Sequence, residues 1–150
     1  MNPYIKINCL LFIVLFTAGC GAKDLAIERQ EAYQAYQAGD YLAASEKFEK
    51  LVEEIPKDAE LWFRLGNSFA KIQLPQEAIN AYRNALLRDP GMAKAWYNMG
   101  LIHLQAALKS YVNMQQYVRE DDPVGRKGKV MQEEIFRLLD GSEESREKEN

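Results

Sequence analysis

The chain has 150 residues, 47% of them hydrophobic and 27% charged, a balance that suits one small globular domain and excludes both a disordered chain and a protein built mainly of membrane spans. Its net charge is −3, with acidic and basic residues interleaved along most of the sequence. No basic groove for nucleic acid and no polybasic membrane patch stands out, so neither is expected as a partner.

The first 20 residues depart from this average. Met1 to Asn8 carries a single charge, Lys6, Cys9 to Phe16 is wholly apolar, and Thr17-Ala18-Gly19-Cys20 follows. A weakly basic start, a short apolar stretch and small residues at a cleavage point form the layout of an export signal, and about ten apolar residues are too few to span a bilayer. Both cysteines, Cys9 and Cys20, lie in or beside this signal and none follows it. A structural disulfide would join two residues destined for separation.

Ala18-Gly19-Cys20 resembles the cleavage box of bacterial lipoproteins, with Thr17 in the place of the more usual aliphatic residue. The resemblance implies removal of residues 1–19 as a signal peptide, lipidation of Cys20, and a short tether over residues 20–24. Removal of the signal takes away one charge, Lys6, and leaves the domain slightly more negative. Several acyl chains, at about 0.8 kcal/mol per buried methylene, hold a protein on a membrane where one chain does not. Gly21 and Ala22 follow the cysteine without an Asp, which by the same resemblance implies the periplasmic side of the outer membrane.

Beyond the tether the sequence is periodic. Pro56, Pro90 and Pro123 are spaced by 34 and 33 residues, each after a stretch with helical apolar spacing. The middle unit, Ala59 to Pro90, resembles a tetratricopeptide repeat, with Trp62, Leu65, Gly66 and Phe69 on its first half and Ala78, Tyr82, Ala85 and Pro90 on its second. Gly66 and Ala78 are small where two antiparallel helices must approach closely, and the aromatic residues supply bulk around that contact. Pro75 opens the second helix at its first turn and Pro90 cannot continue it.

The preceding unit, Leu25 to Asp58, repeats the second half through Ala44, Phe48, Leu51 and Pro56. Gly39 is suited to positive φ at a helix end, and Asp40 to capping the next helix. Glu28 and Glu31 stand where Trp62 and Leu65 do in the next unit, so its first helix is expected to be a polar terminal one. The third unit starts with Ala93, Trp96, Met99 and Gly100, then continues a helical apolar stripe from Leu101 to Val118, with His103 in the place of Phe69. That stripe reads as one long helix stopped at Asp121-Asp122-Pro123, or as a degenerate pair with a tight turn. Lys129 to Asp140 follows as a last amphipathic helix, and the polar residues 141–150 as a disordered tail.

The expected fold is therefore all-α, a tetratricopeptide helix-turn-helix solenoid of two clear repeats and a degenerate third over residues 25–123, with a C-terminal capping helix over 124–140. His103 is the only histidine, and neighbouring carboxylates such as Glu53-Glu54 diverge on a helix, so no catalytic site, metal site, cofactor or small-molecule substrate is expected.

The resemblance implies instead a concave groove, lined by the first helix of each repeat, that takes another protein or peptide segment. Carried over by position, the groove would present Glu60, Phe63, Asn67 and Lys71 from the middle unit and Lys94, Tyr97, Asn98 and Leu101 from the next, with Phe63 and Tyr97 as anchors and Trp62 and Trp96 facing the core. Asn67 and Asn98 fall where some family members clamp a C-terminal carboxylate, but Phe63 replaces a needed base. The implied function is a non-catalytic, membrane-anchored adaptor of the bacterial cell envelope, suited to assembly of an envelope, secretion or pilus complex. The alternative is a structural subunit whose groove is filled by its own C-terminal helix.

Overall fold

The computed structural model describes residues 24–119 and 121–148, of which 142–148 are described as backbone alone. The signal, Cys20 and nearly all of the tether lie outside the described residues. Among the described residues there are six helices and no strand: α1 over 24–37, α2 Tyr41–Glu54, α3 Ala59–Lys71, α4 Pro75–Arg88, α5 Ala93–Gln115 and α6 Pro123–Lys148. None of them is long and apolar enough to cross a membrane. The chain divides into two compact units between Pro90 and Gly91.

The first unit is two helical hairpins, α1/α2 and α3/α4. Its core gathers Ala32 of α1, Ala44, Phe48, Leu51 and Val52 of α2, Leu61 and Leu65 of α3, and Ala81 of α4. Each fully buried Phe or Leu contributes about 2 kcal/mol by leaving water. Helix α1 is polar at Glu28 and Glu31, as a terminal helix should be, yet it closes the core with a fully buried alanine at the position of Gly66.

A close approach within the α3/α4 hairpin occurs at Gly66. A Cβ at that position would lie 2.6 Å from both Cδ1 and Cε1 of Tyr82, a contact that ordinary side chains do not make. Tyr82 is 1% exposed and cannot retreat into solvent, and its hydroxyl donates to Oδ1 of Asn67 at 2.8 Å. At the other end of the hairpin the Pro56 carbonyl accepts from Nε1 of Trp62, at 3.0 Å, and from Nε of Arg88. The Arg88 guanidinium also lies 4.8 Å from the centre of the Trp62 ring, so Trp62 is held by a hydrogen bond and a cation–π contact as well as by packing.

Both hairpin turns use the same device. After α1, the N–H of Gly39 donates to the carbonyl of Tyr36 and that of Asp40 to Ala35; after α3, Gln73 donates to Ala70 and Leu74 to Phe69. These paired bonds satisfy the last carbonyls of a helix and require a residue with positive φ. Gly39 provides it at φ 81, and Gln73 takes it at φ 61. A side chain in this region costs about 1 kcal/mol, so Gln73→Gly should raise the unfolding free energy by about 0.5–1 kcal/mol in a denaturant titration. The next helices start as expected: the Asp40 side chain accepts from the N–H of Ala43, and Pro75 is the first residue of α4. Asp58 caps α3 by accepting from Glu60 and Leu61.

The second unit is the hairpin α5/α6. Residues 93–115 form one helix, which ends at Gln115, before the Asp121-Asp122-Pro123 stop expected from the sequence. Pro123 does not close a repeat. It opens α6, where Asp122 accepts from the N–H of Val124 and Gly125.

Helix α6 meets α5 through two small residues one turn apart. A Cβ at Gly125 would meet Val118, and one at Gly128 would meet Met114. Gln115 ties the pair by donating from Nε2 to the Gly125 carbonyl at 2.9 Å. The helix expected over 124–140 thus begins at Pro123 and continues to Lys148, through residues expected to form a disordered tail. Glu, Arg and Lys are good helix formers, and extending an existing helix avoids the cost of starting one, so a lack of apolar residues does not end it.

Candidate partner-binding face

Helices α1 and α3 lie side by side in the first unit, joined by polar and aromatic contacts that form a ladder. Arg29 pairs with Asp58 at 2.9 Å, at the start of α3. One step along, the Tyr33 ring meets Phe48 edge-on with centroids 5.4 Å apart, and the Arg64 guanidinium sits 5.4 Å from the Tyr33 ring centre. Glu60 accepts from Nε of Arg64 at 2.8 Å, so this cation is fixed by a carboxylate on one side and a ring on the other. At the far end, Tyr36 meets Tyr41 edge-on at 5.1 Å, and the ammonium of the exposed Lys71 lies 5.7 Å from the Tyr41 ring.

Of the residues read from the sequence as groove-lining, Glu60, Asn67 and Lys71 belong to this ladder or border it. Phe63 does not serve as an exposed anchor. It is 5% exposed, with its ring 5.8 Å from that of Tyr82 and the Arg64 guanidinium 5.9 Å away, because Gly66 draws Tyr82 up against α3 and leaves an apolar surface that Phe63 covers. In the second unit Lys94 and Tyr97 are exposed and Asn98 is half-buried, whereas Leu101 is buried at 8% exposure. Trp96, expected to face a core as Trp62 does, is 54% exposed. Leu108, Val112, Met114 and Val118, which meet α6, lie about three to six turns beyond Trp96, whereas Trp62 is held by the Pro56 carbonyl and Arg88 of α4.

Three members of the ladder, Arg29, Tyr33 and Tyr36, went unread because the polar first helix seemed to carry only a terminal surface. The signal was available: 34 residues before Phe63, Asn67 and Ala70 stand Arg29, Tyr33 and Tyr36.

His103 is exposed, and among the described residues no group of three or more His, Cys, Asp or Glu could hold a metal ion. What the ladder offers is rings with few rotatable bonds and cations already positioned over them, which can hold a partner segment at low entropic cost.

The hairpin geometry, the 34-residue period and the Gly66–Tyr82 contact agree with the comparison to known families. Residues 59–92 match the tetratricopeptide repeat family. The chain is similar to protein O-mannosyl-transferase TMTC1 of Mus musculus, 34% identical over 100 residues, which are 63% of this chain and 10% of that protein. It is also similar to the peroxisomal targeting signal receptor of Candida albicans, 38% identical over 65 residues, 39% of this chain and 11% of the receptor. The chain thus spans about a tenth of the length of these curated relatives.

Among solved structures, it resembles the Yersinia enterocolitica type III secretion chaperone SycD, crystallised with a peptide of the translocator YopD, at a TM-score of 0.56 and 18% identity over 77% of this chain and 95% of that one. At that identity the likeness concerns the fold. The architecture is an all-α tetratricopeptide array, clear in its first two hairpins and divergent in its third.

Proposed function

We propose that this protein is a non-catalytic, membrane-anchored adaptor of the bacterial cell envelope that holds a peptide or an exposed segment of another envelope protein along the α1/α3 face. The observation that carries this reading is the ladder itself. Tyr33 of α1 with Arg64 of α3, and Tyr36 of α1 linked to Lys71 of α3 through the Tyr41 ring at the start of α2, place aromatic rings and cations in succession along this face. Aromatic and Arg side chains are the residue types on which binding energy concentrates.

The SycD structure, which holds a peptide of a translocator in a similar fold, supports a peptide-like ligand. The similarity to a mannosyl-transferase is confined to a tenth of that enzyme and supports no catalytic role here. The anchor rests on Ala18-Gly19-Cys20, and an outer-membrane position facing the periplasm suits a factor in assembly of an envelope, secretion or pilus complex.

Two changes test the parts separately. Cys20→Ser should leave an unprocessed precursor that is no longer acylated, and normal processing with normal membrane extraction in that variant would overturn the anchor. Tyr36→Ala combined with Lys71→Glu should reduce the partner captured from detergent-solubilised membranes by about tenfold or more, while Leu87→Ala, on the exposed side of α4, should leave it unchanged. Equal capture by all three proteins would remove the α1/α3 face from the mechanism.

A further inference from the structure

The second unit carries an apolar groove that the adaptor reading does not use. Leu108 and Val112 of α5 face Phe136 of α6 across a space of about 410 Å³, rimmed by Gln132, Glu133 and Arg137. Val112 is exposed at its edge, and Phe136 is 60% exposed although it is the largest apolar side chain of α6.

The charges of α6 run against its own dipole. Arg126, Lys127 and Lys129 stand in its first two turns, with no acidic residue in the first, while Glu133, Glu134 and Asp140 follow further along. Positive charge at a helix N-terminus is unfavourable, and the Asp122 cap offsets it only at the first turn. On the face of this end that packs against α5, the groups nearest Gly125 and Gly128 are Tyr111, Met114, Gln115, Val118 and the Arg119 carbonyl, and none of these is a carboxylate. Arg126 is bonded to the main-chain carbonyl of Asp121.

A neighbour that satisfies this order must present acidic groups beside the N-terminal half of α6 and basic groups beside its C-terminal half. An antiparallel copy of α6 does so. The geometry points to a second copy of this chain as the occupant of the groove, with α6 packed on α6 about a two-fold axis near residue 135. Antiparallel order then sets Lys129 of one copy near Asp140 of the other, six and five residues from the axis, and Glu133 near Arg137, two residues on either side of it. Symmetry makes each pairing twice. Arg137 already pairs with Glu134 at 2.9 Å, and its five donors leave capacity for a second carboxylate. Phe136 and Val112 of each copy close over the groove of the other, which removes their exposed surface from water. This interface is independent of the α1/α3 face.

Sedimentation velocity of the full chain in nonionic detergent, at less than one chain per micelle and from about 1 to about 100 µM, tests it against the range of modest self-association. The expected result is a monomer–dimer equilibrium within that range. Lys129→Glu alone and Asp140→Lys alone should each weaken it by about tenfold, since each change acts at two symmetric pairs, and the double swap should restore it to within about threefold. Phe136→Asp should leave a monomer with unchanged far-ultraviolet circular dichroism. A wild-type chain that stays monomeric across the range, a dimer indifferent to these changes, or a double swap no better than the singles would overturn the proposal, as would a groove that takes only a foreign helix.

Discussion

Valine at Gly66 is expected to lower the unfolding free energy by about 3 kcal/mol, whereas alanine at Gly100, at the same position of the next repeat, is expected to raise it by about 0.5–1 kcal/mol. The first change forces a β-branched side chain into the Tyr82 ring, whose Cδ1 and Cε1 stand 2.6 Å from where Cβ alone would sit. Tyr82 is enclosed, touches Phe63 and is hydrogen-bonded to Asn67, so its displacement costs packing and strains that bond. The helix propensity gained on replacing glycine recovers only a few tenths of a kcal/mol.

At Gly100 nothing lies within 4 Å of an added Cβ, so only the propensity gain remains. For a unit of this size a 3 kcal/mol loss lowers Tm by roughly 10–20 °C, and differential scanning calorimetry of the two variants reads both signs. Equal and opposite behaviour, with Gly100 the sensitive site, would mean that the third unit is the tightly packed hairpin.

Phe48→Ala is expected to cost more, about 3–5 kcal/mol. Phe48 is fully buried where α1, α2 and α3 converge, and it supports the Tyr33 ring on which Arg64 lies. Its loss leaves a cavity bounded by Leu51, Leu61 and Ala32, a set too well packed to collapse into it. Phe136→Ala, the same change at an exposed site, should fall within about 0.5 kcal/mol of the wild type in monomer stability. Chemical denaturation at low protein concentration separates the two, and a comparable loss at Phe136 would place that ring inside a core.

Those contrasts mark where sequence reading succeeds. The 34-residue period located Gly39, Gly66, Pro75, Ala78 and Tyr82 in the roles they occupy, because each role is set by local geometry: a positive φ, a close approach, a missing N–H. The same register transferred to α5 misplaced Trp96 and Leu101, since which face of a helix is buried depends on the partner that packs against it. The Pro56 carbonyl before α3 and Arg88 of α4 seat Trp62, whereas the α5 residues that meet the two glycines of α6 lie about four to six turns beyond Trp96.

The ladder along α1 and α3 was legible in the positions of Glu60 and Lys71, but the burial of Phe63 was not, since it turns on the position of Tyr82, a residue 19 places away in sequence. Gln73 shows the limit from the other side. Nothing in its residue type announces a positive φ, and only the equivalence with Gly39 points to it.

The central claim is that a partner segment lies along α1 and α3 of a membrane-held tetratricopeptide domain. Site-specific photo-cross-linking in intact membranes tests it most directly, with a benzophenone side chain placed in turn at Tyr36 and Lys71 on that face and at Leu42 and Leu87, exposed on α2 and α4. An adduct with one partner from Tyr36 and Lys71, absent from Leu42 and Leu87, is the expected result. Adducts confined to Leu42 and Leu87, or equal from all four positions, would contradict it.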